Sequence, residues 1–135
     1  MRLASSRLLG FGSASYRTTA RIRFWEHAEM DDETRRSWNF ATRNHNAHKG
    51  DQAAFFRAGG DVLFSEELEL LGPLQGRDVA HLQCNAGQDT LSLVHHGARA
   101  TGVDFSDEAI AFARQLSADS GVPATFIESE IISWL

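Results

Sequence analysis

Apolar and polar positions between residues 78 and 104 fall into blocks whose order is typical of one supersecondary structure. A short apolar run, Val79–Leu82, is followed by a polar turn at Cys84–Gly87. A pattern with helical spacing begins at Asp89, and a second short apolar run ends at Asp104. Short apolar runs bounded by turn residues are typical of buried parallel strands. The pattern therefore predicts strand, turn, helix and strand, the front half of a nucleotide-binding βαβ unit.

Helical patterns also occupy the segment before the first strand. They predict short helices over Asp31–Arg43 and Asp51–Ala58. The side chain of Asp51 is suited to cap the second helix, because a carboxylate can accept hydrogen bonds from free amides of the first turn. In the same way Ser65 is predicted to cap a third helix over Glu66–Leu71.

The alternation of strands and helices continues after Asp104. Ser106 begins a helix whose apolar residues repeat at helical spacing, and Gly121 ends it. A third apolar run, Ala124–Ile127, predicts a third strand. Alternating strands and helices of this length favour an α/β fold, a Rossmann-like three-layer parallel sheet of about three strands with N-terminal helices.

The N-terminal segment differs in composition from the rest of the chain. Met1–Trp25 contains five arginines, several Ser and Thr and no acidic residue, whereas from Met30 onward eight basic residues face sixteen acidic ones. Such a leader is typical of a mitochondrial transit peptide, but Met30 would also be a natural start, with the preceding segment a wrongly assigned extension. We expect residues 1–29 to be disordered and outside the fold, residues 30–75 to form a helical lid, and residues 76–135 to form the sheet domain.

Composition limits the classes of protein to which the chain can belong. Its 135 residues and 42% hydrophobic content suit one small domain. The single cysteine excludes an intrachain disulfide, and no apolar stretch is long enough to cross a bilayer. A net charge of -5 disfavours a general nucleic-acid surface. We therefore expect a cytoplasmic protein, or a mitochondrial one if the leader is a transit peptide, with no membrane or nucleic-acid partner.

The position of Asp104 and the lack of glycines together indicate the kind of ligand. Asp104 lies 17 residues after Gly87, close to the spacing at which an acid reaches ribose hydroxyls in nucleotide-binding units. It could instead start a loop and cap the next helix. Residues 83–88 read QCNAGQ, without the glycines of a dinucleotide motif, and no phosphate-binding loop occurs in the sequence. The ligand predicted from this pattern is a nucleoside without phosphates.

The two segments HLQCNAGQDTLSL and GARATGVDFSDEAIAFAR resemble the first two motifs of class I S-adenosylmethionine-dependent methyltransferases. The resemblance is to the branch whose turn reads L-Q-C-x-x-G-x-D-T-L-S. Relative to the commoner form of the turn, His81, Gln83 and Asn85 stand where an acid and two glycines would be, and Gly87 remains. The resemblance extends from about Trp38 to Leu135.

The resemblance implies a set of residues that contact the cofactor, S-adenosyl-L-methionine. Gln83, Cys84 and Gly87 would line its methionine side, Asp104 would bind the ribose hydroxyls, and Phe105 would lie against the adenine. Each position also has an ordinary structural explanation. Gln83 would then be a turn residue, Cys84 a small buried apolar residue and Phe105 part of the core.

A third matching site and a lid complete the implied contacts. In the segment FIESEIISWL, Glu130 and Ile131 follow the third strand, where relatives usually have an Asp that accepts from the adenine amino group. In the resembling family N-terminal helices close over the cofactor, and Trp38, Asn46 and His48 are the lid candidates. The histidines lack a second group of ligands at metal-binding spacing, so no metal is expected.

The resemblance implies methyl transfer to a small-molecule acceptor. Because the family's sheet has seven strands, we expect this chain to be truncated to the cofactor-binding half. The catalytic residues are therefore unknown. His48 is the one lid residue to test as a base. The alternatives are an inactive cofactor-binding or partner-pairing fragment and, less favoured, a dinucleotide-dependent oxidoreductase. An open sheet edge at the Val79–Leu82 strand also predicts self-association.

Overall fold

The computed structural model describes residues 32–135, so the expectations for the leader lie outside the described residues. Helices and strands alternate after an N-terminal group of three helices. In chain order the elements are α1 (Asp32–Ala47), α2 (Gln52–Arg57), α3 (Ser65–Leu71), β1 (Asp78–Leu82), α4 (Gln88–His95), β2 (Arg99–Asp104), α5 (Asp107–Ser120), β3 (Thr125–Glu128) and α6 (Ile131–Trp134).

The three strands form one parallel sheet in the order β1-β2-β3. In its register Ala80 pairs with Thr101 on β2, and Thr101 pairs in turn with Thr125 on β3. Parallel neighbours joined through α4 and α5 are the crossover units that the apolar pattern predicts. The α/β, Rossmann-like fold class with N-terminal helices is therefore confirmed, with three strands in the described part of the chain.

Most helix ends lie where the capping residues predict them. Asp51 Oδ1 accepts from the Ala54 amide at 2.9 Å, and Ser106 Oγ accepts from the Ala109 amide at 3.1 Å. Gly121 ends α5 with a left-handed φ of 73°. The predicted α1 boundary at Arg43 is too early, because helical structure continues to Ala47.

The predicted cap at Ser65 is wrong. Ser65 is the first residue of α3, and the capping position is held by Phe64, whose amide donates to Glu67 Oε2 at 2.8 Å. The Ser65 hydroxyl instead donates to the carboxylate of Glu66 at 3.0 Å. The hydrogen bond at this helix start therefore runs from the capping residue to the third residue of the helix, and no side chain at the capping position accepts from the first turn.

The core lies between the sheet and the helices α4 and α5. Leu91 of α4 and Ile110 of α5 have no exposed surface, and Phe56 of α2 is 1% exposed. The buried cluster consists of Phe56, Cys84, Leu91, Ile110, Ala113, Leu116, Val122 and Phe126. Helix α2 therefore belongs to the core of the domain, whereas α1 does not contribute to this cluster.

Helix α1 is fastened to the rest of the domain by polar side chains. Its one buried residue is Thr42. Asn39 donates to Asp107 Oδ1 at 2.8 Å and accepts from the Ser106 hydroxyl at 2.6 Å. Arg43 forms an ion pair with Glu108. These contacts hold α1 across the beginning of α5.

Strand β1 forms one edge of the sheet, with no strand beyond it in residues 32–135. Ala80 is exposed, and Leu82 is 38% exposed. The opposite edge is partly covered, since the Arg114 guanidinium donates to the Phe126 carbonyl at 2.8 and 3.2 Å. Within residues 32–135, no helix combines the length and apolar character that crossing a bilayer demands.

Candidate functional site

Two cavities meet at the carboxyl ends of β1 and β2. Open parallel sheets bind their ligands beyond these strand ends. Gln83 and Asn85 line both. Cavity A, of about 390 Å³, is lined by Trp38, Thr42, Gln83, Asn85, Asp104, Phe105, Ser106 and Ala109. Cavity B, of about 560 Å³, is lined by His45, Lys49, Gln52, Phe55, Phe56, Val62, His81, Gln83, Cys84, Asn85, Gln88 and Asp89.

A further cavity of about 590 Å³ includes Asp78 and Arg99, which begin β1 and β2. It is open to solvent beside the amino ends of the strands. Ligands of parallel sheets bind at the carboxyl ends of the strands, where helix N-termini and strand-end side chains converge. The candidate site is therefore cavities A and B.

The turn between β1 and α4 has left-handed backbone at three positions, of which one is a glycine. Gln83 and Asn85 have φ values of 58° and 48°, and Gly87 has a φ of 82°. Left-handed backbone is disfavoured for residues with a β-carbon, by roughly 1 kcal/mol, although asparagine tolerates it better than most. Gln83 and Asn85, which stand where the resembling family has glycines, thus have left-handed backbone, and each adds an amide side chain to the site.

We expect Gln83→Gly to raise the free energy of unfolding by up to about 1 kcal/mol, because it removes the left-handed strain. Gln83→Ala, which removes the amide and keeps the β-carbon, is the matched control and should give no such gain. Thermal or urea unfolding of the two variants measures the difference. Equal stability of the glycine and alanine variants would show that the position is not strained.

Asp104 ends β2 and lies at the inner wall of cavity A, with 7% of its surface exposed. Its Oδ2 accepts from the Asn85 amide at 2.8 Å, and its Oδ1 accepts from the Ser106 amide at 2.9 Å. The cap of α5 is Ser106, so the carboxylate is not used for capping. Each carboxylate oxygen has a second lone pair, which leaves room for two donors from a ligand such as neighbouring hydroxyls.

Phe105 and Trp38 are the aromatic side chains in the lining of cavity A. Trp38 of α1 is 52% exposed. The carbonyl of Phe105 accepts from Arg35, whose guanidinium carbon lies 5.9 Å from the Phe105 ring centroid. Thr42 donates to Asn85 Oδ1 at 3.4 Å, a long contact that joins α1 to the turn. Helix α1 therefore contacts both the turn and the loop after β2.

Gly87 and Cys84 face the core more than a ligand. A β-carbon at Gly87 would lie 2.7 Å from the Ala113 β-carbon and 2.8 Å from the Phe126 ring. Gly87 lines neither cavity. Cys84 is 4% exposed, and burial raises the pKa of its thiol to about 12, so the thiol stays protonated at neutral pH. Both residues therefore pack the turn against the core, and Cys84 also lines cavity B.

Cavity B contains charged and polar residues that the sequence did not single out. Lys49, from the connection between α1 and α2, faces the cavity together with Asp89 of α4. Partial burial lowers the pKa of the Lys49 ammonium, and the charge of Asp89 opposes this shift. Burial also lowers the pKa of His81, whose Nδ1 lies 2.8 Å from Thr90 Oγ1, so this imidazole is neutral at pH 7.

Besides Gly87, four predicted site residues lie outside the linings of cavities A and B. Asn46 Oδ1 accepts from Gln88 Nε2 at 3.1 Å. His48 is exposed, with Nδ1 2.8 Å from the Asn44 carbonyl oxygen. Glu130 holds the N-cap position of α6 without a side-chain capping hydrogen bond, and Ile131 is the first residue of that helix. The contacts expected of Glu130 and Ile131 with an adenine remain predictions.

The chain is similar to known methyltransferases over part of its length, although no protein-family model matches it. A segment of 62 residues is 38% identical to the 23S rRNA (uracil(1939)-C(5))-methyltransferase RlmD of Thiobacillus denitrificans. The match covers 46% of this chain and 14% of that protein. It confirms the resemblance to methyltransferases over the matched segment.

Solved structures that align with the chain include two methyltransferases. A TehB-like SAM-dependent methyltransferase from Corynebacterium glutamicum is 22% identical, with a TM-score of 0.45, over 70% of this chain and 45% of that one. The magnesium protoporphyrin IX methyltransferase of Synechocystis, solved with bound SAM, is 18% identical, with a TM-score of 0.45, over 76% of this chain and 56% of that one. The chain thus spans between 45% and 56% of these two structures.

Proposed function

We propose that this chain binds S-adenosyl-L-methionine as the cofactor-binding part of a methyltransferase that acts on a small molecule. The observation that carries the proposal is the carboxylate of Asp104 at the end of β2. It is 7% exposed, is held by two backbone amides and faces cavity A with lone pairs to spare. An acid at this place in a Rossmann-like sheet binds ribose hydroxyls.

The charges around the two cavities fit a nucleoside better than a dinucleotide. Asp104 and Asp89 place two carboxylates in the linings, and Lys49 is the one lysine or arginine among the lining residues. A pyrophosphate would be repelled by the carboxylates, and the turn lacks the three glycines that let a backbone approach it. The oxidoreductase alternative is therefore disfavoured, and a nucleoside that carries a short polar tail fits both cavities.

In the proposed reaction the residues of this chain bind and orient the cofactor. The cofactor, when bound, supplies a methyl group on a positively charged sulfur that is already a good leaving group. Asp104 holds the ribose, the turn at Gln83 and Asn85 sets the direction of the tail, and α1 limits access of water from above. Alignment and exclusion of water are the main contributions that such a reaction needs from the protein. No group in cavities A and B is assigned as a base.

The second candidate is a cofactor-binding or partner-pairing fragment without activity, and the open edge of β1 favours it. An edge strand with exposed Ala80 and Leu82 is suited to pair with another strand. Ligand binding by Asp104 is common to both candidates. Methyl transfer by the chain would separate them.

Calorimetry with S-adenosylhomocysteine and NAD tests the proposal. We expect binding of the first and none of the second. Asp104→Asn should weaken binding by about 1 to 3 kcal/mol, since it removes a charged acceptor from ligand hydroxyls. Asp119→Asn makes the same charge change at the far end of α5 and should bind as the wild type does.

Two outcomes would overturn the proposal. One is failure of the folded wild-type chain to bind S-adenosylhomocysteine. The other is equal binding by the wild type and by a folded Asp104→Asn variant, which would remove Asp104 from the site. Circular dichroism on each variant shows whether it is folded before binding is measured.

A further inference from the structure

Cavity B has one positive and one negative side chain on its walls that do not neutralise each other by contact. Lys49 and Asp89 both line the cavity and interact electrostatically. They are not among the ion pairs within 4.0 Å that the described residues form. Two opposite charges that face one cavity without touching can each take an opposite charge from a ligand.

An amide side chain fixes the segments that carry these two charges. Gln88, the residue before Asp89, donates from Nε2 to Gln52 Oε1 at 2.7 Å and to Asn46 Oδ1 at 3.1 Å. Asn46 lies near the end of α1 and Gln52 begins α2, so the two residues flank the connection that contains Lys49. The Lys49 amide also donates to the Asn46 carbonyl at 3.2 Å. The spacing of the two charges is therefore set by hydrogen bonds that do not involve the charges.

The position of cavity B relative to cavity A indicates which part of a ligand would reach the charges. The two cavities share Gln83 and Asn85, and Asp104 lies in cavity A. A nucleoside bound by Asp104 would therefore extend a tail past the turn into cavity B. A tail that carries one carboxylate and one ammonium, which is an α-amino acid, matches a wall with one cation and one anion.

We propose that Lys49 and Asp89 recognise the α-amino acid end of the cofactor, with the Lys49 ammonium taking its carboxylate and the Asp89 carboxylate taking its ammonium. This inference rests on the proposed function and deepens it, because it assigns two residues that decide which adenosine derivatives the site accepts. It also explains why the one lysine of the 135 residues lies in this cavity.

Two ligands that differ in this end alone provide the first test. S-adenosylhomocysteine has the α-amino acid group, and 5′-methylthioadenosine lacks it. By calorimetry on the full chain, Lys49→Met and Asp89→Asn should each lower the affinity for S-adenosylhomocysteine by about tenfold, the effect of losing a charge-assisted hydrogen bond. Each should change the affinity for 5′-methylthioadenosine by less than about twofold, because the lost group has no partner in that ligand. The controls are Arg36→Met and Asp119→Asn, which make the same charge changes at exposed positions outside both cavities.

The single lysine allows a second test without any substitution. Acetylation of the wild-type chain with an amine-reactive ester, followed by peptide mass spectrometry, reports Lys49 separately from the N-terminal amine. Saturating S-adenosylhomocysteine should slow acetylation of Lys49 by about fivefold or more, because only the neutral amine reacts and a bound carboxylate keeps the amine protonated. Saturating 5′-methylthioadenosine should leave the rate near that of the free chain.

The outcomes separate this inference from the proposed function. If the wild type binds S-adenosylhomocysteine but the Lys49 and Asp89 variants retain its affinity, the inference is wrong and the proposed function stands. Equal protection of Lys49 by both ligands would also overturn the inference alone, since it would report closure of the cavity and not contact with the amino acid end. Failure of the wild type to bind either ligand would overturn both.

Discussion

Replacing Gly87 with alanine should destabilise the domain by about 2 to 4 kcal/mol, one of the two largest effects that we expect. The added β-carbon would lie 2.7 Å from that of Ala113 and 2.8 Å from the Phe126 ring, both of which are in the buried core. A close-packed interior cannot absorb such an overlap without shifting side chains. The left-handed φ of 82° adds a conformational penalty of about 1 kcal/mol.

A second glycine provides the control for this experiment. Gly121 has a similar φ of 73°, but a β-carbon there would meet no atom within 4 Å. Gly121→Ala therefore carries the conformational penalty alone, and urea unfolding of both variants isolates the overlap at Gly87. If the two substitutions cost the same, the close approach of α5 and β3 to the turn would be wrong.

The second large effect is on the state of association of the chain. We expect the protein to self-associate through the outer edge of β1, which pairs with no other strand of residues 32–135 and carries the exposed Ala80 and Leu82. The opposite edge is less suitable, because the Arg114 guanidinium already occupies the Phe126 carbonyl of β3. Sedimentation at increasing concentration should show dimers or larger species.

A charge on the edge strand tests which edge is responsible. Ala80→Lys should shift the chain to monomer, because a lysine at the centre of an edge strand disfavours pairing with another strand. The matched control is Thr125→Lys on β3, which should leave the association unchanged. A wild type that is monomeric at every concentration, or a Thr125→Lys variant that dissociates as fully as Ala80→Lys, would contradict the expectation.

The periodicity of the chain was sufficient to predict the βαβ unit, because its strands and helices are short, regular and bounded by Gly, Ser or Asp. The backbone shape of the turn was not predictable in the same way. The left-handed conformations of Gln83 and Asn85 are held by tertiary contacts, among them the Asp104 carboxylate on the Asn85 amide. A search for glycines therefore misses left-handed backbone at positions that carry a side chain.

The candidate site likewise contains one residue that the sequence predicts and one that it does not. Asp104 could be found by its place at the end of a strand, since that position has a meaning in every parallel sheet. Lys49 could not, because a single lysine in a short connection forms no pattern with its neighbours in sequence. Its neighbours in the cavity, such as Asp89, come from another element. Residues of this kind become visible when the elements are assembled.

The polar attachment of α1 determines how a ligand can reach the two cavities. If α1 moves away, the contacts that break are hydrogen bonds and ion pairs, such as those of Asn39 and Arg43, and water can replace each of them. Little apolar surface is uncovered, because Thr42 is the one buried residue of the helix. Displacing α5 would instead uncover Ile110 and the rest of the core. For the ligand that we propose, the route of least resistance therefore runs beneath α1, and exchange along this route leaves the packed interior closed.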